Sequence, residues 1–256
     1  VNHAFRRQGS LEDPEVALLW EAGCQGVWQD GDEVVAYFAN PVALPVEGRW
    51  EAVADRDYLA AYQAELKPVE LSRLVVVPSH CEVPSGSGKL VIRLDPGMAF
   101  GSGHHETTRL ALEALERLEL TSRRVLDLGA GSGLLAIAAK LLGASEVKGL
   151  DLDPATVPVA QANARDNGTE VAFRAGTLYG EANGSYDVVV ANLYAELHVE
   201  LAGEYARVLA PGGRLLLTGI LQDRRALVER ALEPYLEAAS WQRAGNWLLL
   251  QGARRA

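Results

Sequence analysis

Apolar and polar positions change their period along this chain, and the change divides it in two. Alternation over residues 3–8, a helical period over 11–22 with Ser10 placed to cap it, and short runs at 26–29 and 33–39 turning at Asp30-Gly31-Asp32 predict strand, helix and hairpin. Pro41 and Pro45 leave little room for a second helix before a further strand at 49–54. Residues 57–66 read as a connecting helix that stops before Lys67-Pro68. The expected organisation is a small α+β domain over 1–54, a linker helix within 55–68 and a larger domain over 69–256.

From residue 71 onward the pattern is of another kind. Strands at 74–77 and 90–94 flank the Ser/Gly-rich stretch 85–88 and lead into the second domain. Apolar strands at 124–128, 147–151, 171–174, 187–191 and 214–218 then alternate with helical sequence, the pattern of a parallel sheet covered on both faces. The last two strands, 238–242 and 247–251, are joined by Arg243-Ala244-Gly245-Asn246, which permits a hairpin and no crossover. The sheet should therefore end with an antiparallel strand, and no solenoid repeat interrupts this α/β reading.

Composition narrows the class. A hydrophobic share of 48% with 23% charged residues and a mean hydropathy of zero fits a globular protein. The richest apolar stretch, 134–144, is broken by Lys140 and falls short of the ~18 residues of a bilayer span, so no membrane association is expected. The segment VNHAFRRQGS lacks the apolar run of a signal peptide. Cys24 and Cys81 stand far apart without CxxC spacing, which points to neither a disulfide framework nor a zinc site and makes a reducing cytoplasm the expected compartment. Acids outnumber bases 34 to 24, and a formal charge of −10 argues against direct nucleic-acid binding. Residues 1–66 hold twelve of the acids and four of the bases. That acidity is either a solubilising surface or a docking face for a basic partner.

The segment VLDLGAGSG runs a strand into Gly129, Gly131 and Gly133 and then a helix, where glycines let backbone N–H groups approach a ligand. An unliganded tight turn would look alike. The spacing is GxGxG rather than the GxGxxG of dinucleotide folds, and Asp127 precedes it; a carboxylate there repels a pyrophosphate and suits a ligand carrying an amino group and a sulfonium, such as S-adenosylmethionine. Asp151 ends the next strand, placed either to accept both ribose hydroxyls or to cap the following helix, a task Asp153 fits better. Asn192-Leu193-Tyr194 ends the fourth strand: the Asn192 side-chain carbonyl and the Leu193 backbone carbonyl can accept N–H bonds from an amine, and Tyr194 can wall the pocket, although Asn192 could equally cap the next helix. Upstream, Gly101-Ser102-Gly103 opens a helix whose first turn carries Thr107 and Thr108. His104-His105-Glu106 is no metal motif, because Arg109 stands where HExxH needs its second histidine, and no metal is expected. His80 and Cys81 lack an activating neighbour and read as a packed pair.

Together PGMAFGSGHHETTRLAL, VLDLGAGSGLLAIAA, GLDLDPATVPVAQANARDNG and VANLYAEL resemble the ribosomal protein L eleven methyltransferase (PrmA) family, over nearly the whole chain and most strongly over residues 95–220. The resemblance implies a seven-stranded Rossmann-like methyltransferase sheet, mostly parallel with an antiparallel last strand, joined to a small ferredoxin-like domain that docks the substrate. It implies S-adenosylmethionine contacts at Thr107, Gly129, Asp151 and Asn192, with Thr177 near the adenine. Tyr58 and Tyr62 stand where relatives tend to have tryptophan, and Ser102 where threonine is more usual.

The activity implied is methylation of lysine amines, and of an N-terminal amine, on the ribosomal protein, which is the expected partner of a cytoplasmic monomer. A methyl on a sulfonium is already activated, so catalysis asks for in-line alignment of a neutral amine. Tyr194 and Phe100 could desolvate that amine, while Asn192 and Leu193 aim its lone pair. Phe100 and His104 are assigned to the cofactor pocket; His104 adjoins the site only in sequence, and no general base is assigned. The rival readings are a methyltransferase acting on another protein, RNA or a small molecule, a nicotinamide dehydrogenase, and a silent binding module.

Overall fold

In the computed structural model, which describes residues 2–11, 13–24, 26–53, 66–84, 86, 88–94 and 103–255, the chain divides into two compact units, Val1–Glu65 and Leu66–Ala256. The connecting helix expected over 57–66, with Tyr58 and Tyr62, lies almost wholly outside the described residues.

The first unit is an antiparallel sheet of β1 (Asn2–Gln8), β2 (Gly26–Asp30), β3 (Glu33–Phe38) and β4 (Arg49–Val53) in the order β2-β3-β1-β4. Alternate residues of β1 and β3 send Phe5, Val34, Ala36 and Phe38 to one face, where Val16 and Leu19 of helix α1 (Glu15–Glu21) complete a core. The helix starts later than the expected residue 11. Ser10 does not cap it; its N–H donates to Asp13 Oδ2 (2.9 Å), and Pro14, with its fixed φ, sets the first turn. Central β1 and β3 match a ferredoxin-like order, yet residues 39–48 form no helix, so Leu44 and Val46 cover that side of the core as loop.

In the second unit, β5 (Val69–Glu70), β6 (Leu74–Pro78) and β7 (Leu90–Leu94) form a small sheet in which β6 and β7 run parallel. The buried Glu116 carboxylate at the end of α2 (Glu106–Glu116) anchors its first turn by accepting from the backbone N–H groups of Ser72, Arg73 and Leu74 at 3.1, 2.7 and 2.7 Å.

The main sheet has seven strands: β8 (Arg124–Leu128), β9 (Glu146–Asp151), β10 (Ala172–Ala175), β11 (Tyr186–Asn192), β12 (Leu209–Leu221), β13 (Leu236–Ala244) and β14 (Trp247–Arg254). Their order is β10-β9-β8-β11-β12-β14-β13. The first five are parallel, and β14 runs antiparallel between β12 and β13. The Rossmann-like expectation holds, with the antiparallel last strand one place in from the edge. Successive residues of β11 alternate faces: Val188 and Val190 join Leu112, Leu134 and Ile137 of α2 and α3 (Leu134–Leu141), and Val189 and Ala191 join Tyr205 and Val228 of α6 (Ala202–Val208) and α7 (Arg225–Leu232). Strands β9 and β10 are added on one side of β8 and β11 and β12 on the other, and open α/β sheets bind ligands at the carboxyl end of such a switch point.

Candidate functional site

Between β8 and α3 the chain turns tightly through Gly129, Gly131 and Gly133, whose φ angles are +74°, +50° and +82°. A Cβ on Gly129 would lie 2.6 Å from Leu193 Cδ2, and one on Gly133 would lie 2.8 Å from Phe173 Cζ. Both backbone hand and space therefore demand glycine at these two positions. The loop is pinned from β9, where the Leu150 carbonyl accepts from Gly129 N (2.7 Å) and Ala130 N (3.0 Å), and by buried Asn163, which donates to the Ser132 carbonyl (2.8 Å).

Asp127 is fully buried under this loop. Its Oδ2 accepts from Ala136 N (3.0 Å), while Oδ1 has no hydrogen-bond partner among the described residues. Burial pushes its pKa up to about 7, helped by the charge of Asp151 and opposed by the Ala136 bond. An orphaned buried carboxylate oxygen fits a ligand that brings a cationic donor.

Asp151, at the end of β9, accepts from Gly131 N through Oδ2 (2.8 Å) and from Asp153 N through Oδ1 (3.0 Å). Each oxygen keeps a lone pair for a hydroxyl. Asp151 is not a helix cap: α4 (Thr156–Asp166) starts farther on, and Asp153 Oδ1 accepts from Ala155 N (2.8 Å) ahead of it. The Asp151 carbonyl accepts from Gly176 N (2.8 Å), which sets Thr177 beside the same strand end; Thr177 Oγ1 accepts from Tyr179 N (3.4 Å) in the turn that follows. Leu152 and Tyr179, both largely exposed, stand at these two strand ends.

Asn192 is the last residue of β11, and its Nδ2 donates to Thr108 Oγ1 (3.4 Å) in the first turn of α2, leaving Oδ1 to accept. It does not cap α5 (Ala195–Glu200), which begins after Tyr194. Leu193 N donates to the Thr218 carbonyl (3.1 Å), and the Leu193 carbonyl packs on Gly219, where a Cβ would lie 2.2 Å away. Tyr194 is 62% exposed, so it borders the site without enclosing it.

His105 caps α2: its Nδ1 lies 3.3 Å from Thr107 N and 2.8 Å from Thr107 Oγ1, and its ring meets Trp247 edge-on at 5.1 Å. The Thr107 hydroxyl is thereby held in a buried position. His104 is exposed, with Nε2 2.8 Å from the Lys67 carbonyl. Phe100, Gly101 and Ser102 lie outside the described residues. Among the described residues no three His, Cys, Asp or Glu side chains are grouped to hold a metal ion.

Glycine loop, Asn192 and α2 thus meet at the switch point from three distant parts of the chain. Sequence reasoning missed His198, Thr218 and Gly219, which lie behind Leu193. A histidine four residues after Tyr194 and a glycine closing the apolar run of β12 were the available signals.

The sequence profile of the ribosomal protein L11 methyltransferase (PrmA) family matches residues 14–255. The chain is 48% identical over 263 residues to the ribosomal protein L11 methyltransferase of Thermus thermophilus, covering 98% of this chain and 99% of that protein. It is 46% identical over 269 residues to that of Deinococcus radiodurans, covering 96% and 97%. Among solved structures, the ribosomal protein L11 methylase of Lactobacillus delbrueckii subsp. bulgaricus superposes with a TM-score of 0.68 at 33% identity, covering 75% of this chain and 99% of that one. Matched by the family profile over almost its whole length, and alike nearly end to end with two relatives, the chain belongs to the ribosomal protein L11 methyltransferase family.

Proposed function

We propose that this chain transfers methyl groups from S-adenosylmethionine to amino groups of ribosomal protein L11, lysine side chains first and the N-terminal amine as a further candidate. The observation that carries the reading is the contact of Leu193 with Gly129, which sets Asn192 at the mouth of the glycine loop. Asp127, the backbone of Gly129, Gly131 and Gly133, and Asp151 would hold the cofactor, with Thr107, Thr177, Phe100 and His104 beside it. When bound, its sulfonium supplies an activated methyl group, so no nucleophilic side chain is required. An attacking lysine must shed a proton from a group of pKa ~10.4, which partial desolvation beside Tyr194 would favour. Asn192 Oδ1, turned from Thr108 by the Nδ2 bond, and the Leu193 carbonyl would then accept the amine N–H groups and fix its lone pair.

The first unit is assigned to substrate docking. It carries eight of the chain's ten net negative charges, and its described arginines Arg6, Arg7 and Arg49 are all paired internally, with Asp30, Glu33, Glu51 and Asp13. A ribosomal protein is expected to be basic, so the acidic unit would steer its approach. A monomer acting in the cytoplasm, without direct nucleic-acid contact, completes the reading.

Purified L11 and S-adenosylmethionine carrying a labelled methyl group test it. The chain should label L11, and Asn192→Ala should lower the single-turnover rate at saturating substrates by about tenfold or more while the cofactor dissociation constant changes much less, as for a contact made chiefly in the transition state. No label in L11 would overturn the function, and a variant rate within about twofold of the parent would remove Asn192 from its role.

A further inference from the structure

Behind the Asn192-Leu193-Tyr194 segment lies a polar network closed off from solvent. His198, Tyr205 and Thr218 each have zero exposure. His198 Nδ1 is 3.0 Å from the Tyr205 hydroxyl, and Nε2 is 2.9 Å from the Thr218 carbonyl. The same carbonyl accepts from Leu193 N (3.1 Å), and Thr218 Oγ1 donates to the Leu248 carbonyl (3.1 Å) on β14. Thr218 pairs in register with Asn192 across β11 and β12.

A carbonyl can only accept, so Nε2 carries the proton toward Thr218. In a neutral ring Nδ1 must then accept, and Tyr205 donates to it. The ring is neutral, because burial pushes its pKa down to about 4 against its hydrogen bond to the Thr218 carbonyl. One imidazole thus grips the backbone on which the segment rests, in a single tautomer set by the Thr218 carbonyl and matched by the Tyr205 hydroxyl. Gly219, at φ +85°, lets the Leu193 carbonyl sit closer than any side chain would permit. An apolar residue of similar volume would fill the same space in the core, so packing alone does not call for a histidine there.

Resting on the function proposed above, we infer that His198 is a positioning residue for methyl transfer, holding Leu193 and with it Asn192 in register with the glycine loop. It touches neither cofactor nor amine and acts through Thr218 and the Leu193 backbone.

The test compares the whole chain with His198→Leu, which loses the Nε2 donor, His198→Gln, whose amide can still donate to Thr218, and Tyr205→Phe, which takes the partner from Nδ1 and leaves the ring held at Thr218 alone. Two readouts are taken: hydrogen exchange of the Leu193 amide, and the single-turnover rate on L11 beside the dissociation constant of S-adenosylmethionine. Loss of one buried hydrogen bond predicts about tenfold faster Leu193 exchange and a rate lower by about tenfold in His198→Leu, with cofactor affinity within about twofold. His198→Gln should recover most of both, and Tyr205→Phe should fall between. Unchanged Leu193 exchange in His198→Leu, or equal losses in the leucine and glutamine variants, would overturn the inference. If His198→Leu does not fold, the glutamine variant and Tyr205→Phe decide alone: parental exchange and rate in Tyr205→Phe would overturn it. Exchange does not depend on turnover, so a parent inert toward L11 would defeat the proposed function while this readout still decides the role of His198.

Discussion

Asp127 is the residue whose replacement should move folding and binding in opposite directions. In the folded chain its carboxyl keeps a proton up to about pH 7, because burial, with the Asp151 charge, outweighs the Ala136 hydrogen bond; unfolded aspartates release theirs near ~4. Between those limits the folded state binds the extra proton, so stability falls as pH rises through the window, and the whole penalty stands above it. At about 1.4 kcal/mol for each factor of ten, the penalty reaches roughly 4 kcal/mol. Asparagine can keep the oxygen that accepts from Ala136 N (3.0 Å) and puts an unpaired amide in place of the orphaned oxygen, at a cost of about 1–3 kcal/mol. Asp127→Asn should therefore be more stable than the parent by about 1–3 kcal/mol near pH ~8 and should lose that advantage near pH ~5. Urea unfolding of both proteins at the two pH values measures the difference, in which every other titration cancels. Affinity for S-adenosylmethionine should meanwhile fall by about tenfold or more in calorimetry near pH ~8, since the buried negative charge proposed to face the cationic ligand is gone. A stability difference equal at both pH values would refute this account of Asp127.

Asp151→Ala removes the acceptor of Gly131 N and Asp153 N together with the proposed ribose contacts, and should weaken S-adenosylmethionine binding by ~1.5–3 kcal/mol for each charge-assisted bond lost, read by calorimetry on a folded variant. Unchanged affinity would take it out of the site. A fragment beginning near Lys67 contains the whole second unit and should still bind the cofactor while methylating L11 poorly, and the intact chain should lose activity as added salt screens the acidic first unit. Full-length rates from that fragment would reduce the first unit to a solubilising appendage.

What could be read from the sequence followed from how local each determinant is. Strands with a buried face on each side announce themselves as apolar runs, and the short link before Trp247, expected as 243–246 and found as Gly245-Asn246, allowed only a hairpin; the sheet was legible for those reasons. The start of α1 was misplaced because Ser10 is a sound cap on its own, yet Asp13 takes its N–H and Pro14 fixes the turn. The alternatives for Asp151 and Asn192 could be separated only in three dimensions, where Asp153 stands ahead of one helix and the other starts beyond Tyr194. His198 was invisible because its partners are set by strand register and not by spacing, with Thr218 twenty residues away. Glu116, forty-three residues beyond the Arg73 N–H it holds, was hidden for the same reason.

The position of β14 carries a consequence for how the chain is made. It is the last of the seven strands in chain order, yet it lies inside the sheet, paired along one side with β12 and along the other with β13. During synthesis β12, with its wholly buried run Leu215-Leu216-Leu217, waits for that partner while the residues up to Arg254 are added, roughly 2–7 s at ribosomal speed. For that interval an apolar strand presents unpaired N–H and C=O groups, the kind of edge that recruits strands from other chains. Premature termination before Trp247 would make the exposure permanent and leave β13 with no strand to pair with, so nascent chains lacking β14 should be far more aggregation-prone than the loss of one strand suggests.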